Sequence, residues 1–178
     1  EHDVEESNES VPKSYVSLRS GARVLLPLSY ILNGVLAPIL PFVLSRIEID
    51  IYWQTPLAAI WMFSRVFVVF AMWQITTWHG KWSVLWFAIL AMALGFGVVL
   101  LSNSILFLVL GLAIFGLGMG ATYYVALYYA MAVGRAKVDA GGTHEALIGG
   151  GYAIGPIIGL SIFQAALPTT RDRAIMTT

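Results

Sequence analysis

The sequence predicts an all-α integral membrane protein, a polytopic helix bundle with about five transmembrane helices. Of its 178 residues, 58% are hydrophobic and only 11% are charged, whereas about a quarter of residues carry charge in an ordinary soluble domain. Mean hydropathy is +0.79. The apolar residues also fall into long uncharged runs joined by short polar segments, the pattern of successive membrane crossings.

In chain order, 1–21 reads as a polar, flexible N-terminal tail or linker. Its start, E-H-D-V-E-E-S-N-E-S, is acidic and poor in apolar residues and has no signal-peptide pattern. The transmembrane domain is expected over 22–167. A first span, 24–45, carries Pro27, Pro38 and Pro41 with Asn33-Gly34 between them, and proline removes helix donors, so a broken or kinked helix is expected. The second, 53–76, holds a single charge, Arg65. The uncharged stretch that follows is long enough for two crossings, and Ser102-Asn103-Ser104 supplies the turn between spans at 82–101 and 105–132. The fifth span is placed at 146–167, with a short polar tail at 168–178.

Within the fifth span, Gly151, Gly155 and Gly159 recur every four residues, with Pro156 among them. On a helix they form one stripe without side chains, where another helix backbone can approach, and the proline makes a bendable point.

Five crossings place the chain ends on opposite sides of the membrane. Lys13, Arg19, Arg23, Lys81, Arg135 and Lys137 share the side of the N-terminus, against Arg46, Arg171 and Arg173 on the other. The positive-inside rule therefore puts the N-terminus cytoplasmic. Trp53, Trp73, Trp78, Trp82 and Trp86 cluster near span ends, as an interfacial aromatic belt would.

The motif Gly151-x-x-x-Gly155-Pro156-x-x-Gly159 resembles the G-x-x-x-G-P-x-x-G signature of major facilitator superfamily (MFS) transporters. Thr77-Trp78-His79-Gly80-Lys81-Trp82 is similar to their D-R-x-G-R-R loop, with Thr77 replacing the acid. The Pro-rich first span, the arginine in the second, the glycine-rich fourth (Gly111, Gly116, Gly118, Gly120) and the H-E-A-x-I-G entry to the fifth complete the likeness. It covers nearly the whole chain and implies the C-terminal half of such a transporter, helices seven to eleven, in a plasma or inner membrane. A small-molecule solute and a second membrane half, or other membrane subunits, are the partners it implies besides the lipid bilayer.

Arg65 is the sharpest single residue. A charge at mid-depth costs at least about 2.5 kcal/mol on insertion scales. It reads as an anchor for an anionic substrate or a coupling site, or as a structural arginine bonding helix carbonyls, and no acid within the spans can pair with it. Tyr123, Tyr124 and Tyr128 are candidate cavity-lining donors or else belt and core residues, and Asn33 is a candidate polar contact. Thr143 is placed to cap the fifth helix, with Glu145 in its first turn. Lys81, Asp139 and Glu145 are candidates for a cytoplasmic gate, or else ordinary loop charges.

Several functions lack their residues. The chain has no cysteine and three scattered histidines, so neither a metal centre nor any other cofactor is expected. With no phosphate-binding loop and no basic cluster, neither nucleotide nor nucleic acid is expected as a ligand. No nucleophile–base pair lies at one depth, so an enzyme is not expected. A transporter half and a non-transporting membrane scaffold both fit what remains.

Overall fold

The computed structural model describes residues 12–133 and 137–166, and all regular structure among them is helical. In order these are α1 (Lys13–Arg46), α2 (Ile51–Ala58), α3 (Ile60–Gln74), α4 (Ser83–Leu101), α5 (Ile105–Val133) and α6 (Lys137–Ala166). With α2 and α3 taken together, five helical stretches are long and apolar enough to cross a membrane. The protein is a helical integral membrane bundle in contact with lipid.

At the centre stands α5, packed against α4, α3, α1 and α6, while α1 makes the second extensive interface with α6. A helix that is apolar all round must be covered on several faces, and α5 achieves this with two sets of glycines. Towards α4, a Cβ on Gly118 would lie 2.7 Å from the Met92 nitrogen and one on Gly111 2.9 Å from the Val99 nitrogen. Towards α3, Gly116 meets the carbonyl of Trp61, and a Cβ on Gly120 would lie 2.6 Å from the carbonyl oxygen of Arg65. Both contacts are backbone against glycine, the close packing that holds helices together where lipid is as apolar as leucine.

The Gly151/Gly155/Gly159 stripe faces α1. A Cβ on Gly151 would lie 2.6 Å from that of Tyr30, one on Gly155 2.7 Å from the Gly34 Cα, and one on Gly159 3.0 Å from the Val35 Cα. All three glycines are buried, while Tyr152, Ile154, Ile157 and Ile158 on the same helix are exposed.

Expectations about the tail, the first two spans and the start of the fifth need correction. Residues 13–21, assigned to the flexible tail, are helical: Leu18, Ala22, Leu25 and Leu26 continue a 3.6-residue apolar face and are buried. Only 1–11 of that tail lie outside the described residues. Of the break or kink expected at its prolines, α1 shows no break: it is one helix through Pro27, Pro38 and Pro41. The interruption falls instead in the second span, where α2 ends at Ala58, two residues after Pro56 has withdrawn a helix donor. Finally, α6 starts at Lys137 and passes through Gly141 and Gly142, so Thr143 is not an N-cap and Glu145 is not in a first turn.

Among the belt tryptophans, Trp53, Trp73, Trp82 and Trp86 are exposed. Trp78 departs from the expectation. It is buried, and its Nε1–H donates to the Met72 carbonyl at 3.1 Å. Its neighbour Gly80 turns the 75–82 loop with φ of 71° and donates its N–H to Tyr129 Oη at 2.8 Å. At the opposite end of the bundle, Arg46 Nη2 donates to the carbonyls of Leu100 and Ser102 at 2.8 and 2.7 Å. A cation there satisfies the free carbonyls at the end of α4 and complements its dipole.

Candidate functional site

Arg65 lies nine residues before Gln74, the last residue of α3, about 14 Å along the axis at ~1.5 Å per residue. That is near mid-depth in a hydrocarbon core about 30 Å thick. Its placement follows from glycine. Gly120 has no side chain to hold α3 away, so the Arg65 backbone settles directly on α5. The guanidinium then lies 4.7 Å from the centre of the Tyr123 ring, three residues further along α5. Gly151 does the same for α1, drawing in the turn that carries Tyr30.

Arg65 Nη2 donates to Tyr30 Oη at 2.7 Å, and its Cζ lies 5.5 Å from the Tyr30 ring centre. From α6, Tyr152 meets the Tyr30 ring edge-on at 4.9 Å, and His144 meets the Tyr123 ring edge-on at 5.1 Å. Tyrosines of α1 and α5 thus hold the α3 cation, and two rings of α6 back those tyrosines. A cavity of about 330 Å³ opens beside it, lined by Met62, Arg65, Val66, Val69 and Tyr123.

The electrostatics are one-sided. Guanidinium presents five N–H donors and no acceptor. Its partner here is a neutral phenol, its packing is on two aromatic faces, and no carboxylate pairs with it among the described residues. A positive charge over an aromatic face is attracted by the ring quadrupole, by about 0.5–2 kcal/mol for a half-buried cation such as Arg65. Those contacts hold the guanidinium in place without neutralising it.

The sequence candidates divide between two places. Arg65 and Tyr123 belong to this site, and buried Asn33 lies on α1 one turn beyond Tyr30. Tyr124 and Tyr128 point elsewhere, their rings 5.8 and 5.0 Å from Trp78 at the 75–82 loop. There Tyr128 also stacks on His79 at 4.4 Å, and Tyr15 packs on Tyr129 at 5.1 Å. As for the gate candidates, Lys81 and Glu145 are both exposed and form no ion pair with each other among the described residues. The Asp139 side chain lies outside the described residues.

Two site residues escaped the sequence argument, Tyr30 and His144. His144 was legible: 144, 148, 151, 155 and 159 follow one helical stripe, so it shares the buried face of the glycines. Tyr30 carried no signal of its own, because only the partner helix reveals its role.

Together these features define a class: a polytopic helical membrane protein with an unneutralised cation in an aromatic setting inside its bundle. Comparison with family models, curated proteins and solved structures finds no match.

Proposed function

We propose that the chain is the C-terminal half of a secondary transporter of the MFS type, moving a small solute by alternating access. The observation that carries this reading is the unneutralised Arg65 at mid-depth, held by Tyr30 and Tyr123 beside a cavity of about 330 Å³. Intramembrane charges are costly and cluster on substrate or ion pathways. Transporter sites lie near the midplane, at the interface between repeats.

In this scheme Arg65 anchors the solute or its counter-charge, and Tyr123 and Asn33 shape the site. The Gly151/Gly155/Gly159 stripe with Pro156 forms the close, bendable contact of α6 with α1. A second membrane half covers the open side, in a plasma or inner membrane with the N-terminus cytoplasmic. No covalent chemistry and no cofactor enter.

A second reading, a non-transporting MFS-derived subunit acting as a scaffold in a larger membrane complex, draws on α6. Gly149 and Gly150 there have open space where a Cβ would stand, room for a helix of another subunit. Purification from the native membrane in mild detergent separates the two. Recovery within a polypeptide of about twice this length, or in stoichiometric pairing with a six-helix half, together with uptake lost in Arg65→Ala, supports transport. Recovery as a stable component of a large assembly with no second half would end the transport reading.

A further inference from the structure

We infer that Arg65 binds a small oxyanion, a carboxylate or a sulfate- or phosphate-like group, and that His144, behind the Tyr123 ring, is a second, titratable group coupled to that site. In naming the solute's class, this rests on the transport reading. Two independent observations lead to it. Arg65 keeps its full charge, because Tyr30 and Tyr123 fix the guanidinium without countering it. His144 is 3% exposed, and its Nε2 is buried with no hydrogen-bond partner. A buried imidazole nitrogen without a partner calls for one.

The Tyr123 ring separates the two groups, touching both. Arg65 acts electrostatically on His144 across that ring, so an anion that offsets the Arg65 charge favours the protonated imidazole, and protonated His144 in turn favours the anion, since coupling between two ligands is reciprocal. The other groups around His144 are few. Arg65 comes from α3, Tyr123 from α5, Tyr30 from α1 through its bond to Arg65, and Glu145 and Tyr152 from α6 itself. Of these, Glu145 is exposed. Carboxylates and tetrahedral oxyanions suit the guanidinium fork, which presents paired donors in a plane. The apolar side of the cavity, Met62, Val66 and Val69, suits a solute with a small hydrophobic body.

The test uses the complete membrane protein containing this chain, in nanodiscs of phosphatidylcholine alone. Sulfate and pyruvate, both ionised throughout, are titrated between about pH 5.5 and about pH 8, a window spanning ordinary imidazole titration. Chloride keeps the ionic strength constant, and the readout is the thermal midpoint, which a ligand of the folded state raises with concentration. At least one anion gives a saturable rise. Arg65→Gln abolishes it, and Arg65→Lys retains it with affinity weaker by roughly tenfold, the charge remaining without the fork. Affinity is higher at the acid end, and His144→Gln removes that difference.

No saturable rise with either anion, or an equal rise in Arg65→Gln, overturns the site. A pH-independent affinity overturns the part assigned to His144. Nanodiscs with phosphatidylglycerol identify the anion's source. If that lipid alone raises the midpoint through Arg65 and cancels the sulfate response, the anion chemistry stands with a headgroup as occupant, and the solute assignment falls. Arg65-dependent binding without uptake would sink transport and leave the anion site. Uptake without Arg65-dependent binding would do the reverse.

Discussion

Gly34 of α1 and Gly155 of α6 meet backbone to backbone: a Cβ on Gly34 would lie 2.8 Å from the Gly155 Cα, and one on Gly155 2.7 Å from that of Gly34. The contact lies one turn beyond Tyr30 on α1 and one turn beyond Gly151 on α6. The crossing that joins the helices therefore also sets the height of the Arg65 site.

Gly155→Ala is expected to destabilise the bundle by about 1–3 kcal/mol, because the new methyl meets backbone on both sides and no rotamer relieves it. Gly149→Ala on the same helix is the control. Its Cβ would meet nothing within 4 Å, so alanine's better helix propensity should leave stability unchanged or raise it by up to ~1 kcal/mol. Thermal midpoints of the two variants in one detergent decide it. Equal losses would mean that a methyl group is costly wherever it is placed on α6, and that the crossing is not what makes position 155 sensitive.

This crossing is also where the sequence was most legible. The four-residue spacing of Gly151, Gly155 and Gly159 predicts a stripe for close approach, and all three glycines lie against α1. Asn33-Gly34 carries the other half of the contact but reads, beside three prolines, as a break. Sequence pattern reports which face is bare, not which helix will fill it. Span ends were misjudged for a related reason. The charges of Lys13 to Arg23 suggest a solvated tail, yet the apolar face through Leu18 and Ala22 keeps its period beneath them. Arg65 and Tyr123 emerged as isolated oddities. Their pairing depends on Gly120, a contact between spans that no single-span pattern contains.

Arg65→Leu should change stability by no more than about 2 kcal/mol in either direction while abolishing function. Removing a mid-depth charge relieves about 2.5–3.5 kcal/mol on insertion scales. Against that stand a hydrogen bond of about 0.6 kcal/mol and two cation–π contacts, with Tyr30 and Tyr123, of about 0.5–2 kcal/mol each. Denaturation with intact uptake measurements reads both quantities. A loss of more than about 2 kcal/mol in stability would instead make Arg65 a structural residue.

Tyr129→Phe removes the acceptor of the Gly80 N–H. An amide left without its partner in a protein interior costs about 1–3 kcal/mol, and the loss should stay local, because the Trp78 Nε1–H bond to Met72 still ties the loop to α3. Amide hydrogen exchange across 75–82 is expected to accelerate, with little change in α4. Unchanged exchange would mean that Trp78 alone fixes the loop.

The absence of cysteine throughout the chain makes its topology testable by single-site labelling. Thr77 and Asn103 are both exposed, the first in the loop before α4 and the second in the turn after it. One crossing separates them, since α4 is 19 residues long, about 28 Å at ~1.5 Å per residue and so matched to a single passage. In intact cells, with any cysteine outside this chain removed, a membrane-impermeant maleimide should label Asn103→Cys and leave Thr77→Cys unlabelled until the membrane is opened. The charges set that direction: Lys81 borders the Thr77 loop, whereas Glu48 and Asp50 lie on the Asn103 side with Arg46, which is engaged in capping α4. Labelling of both from outside would remove α4 as a span. The reverse pattern would invert the bundle, placing the loop held by Trp78 and Tyr129 on the external face, and would rule out the proposed cytoplasmic N-terminus.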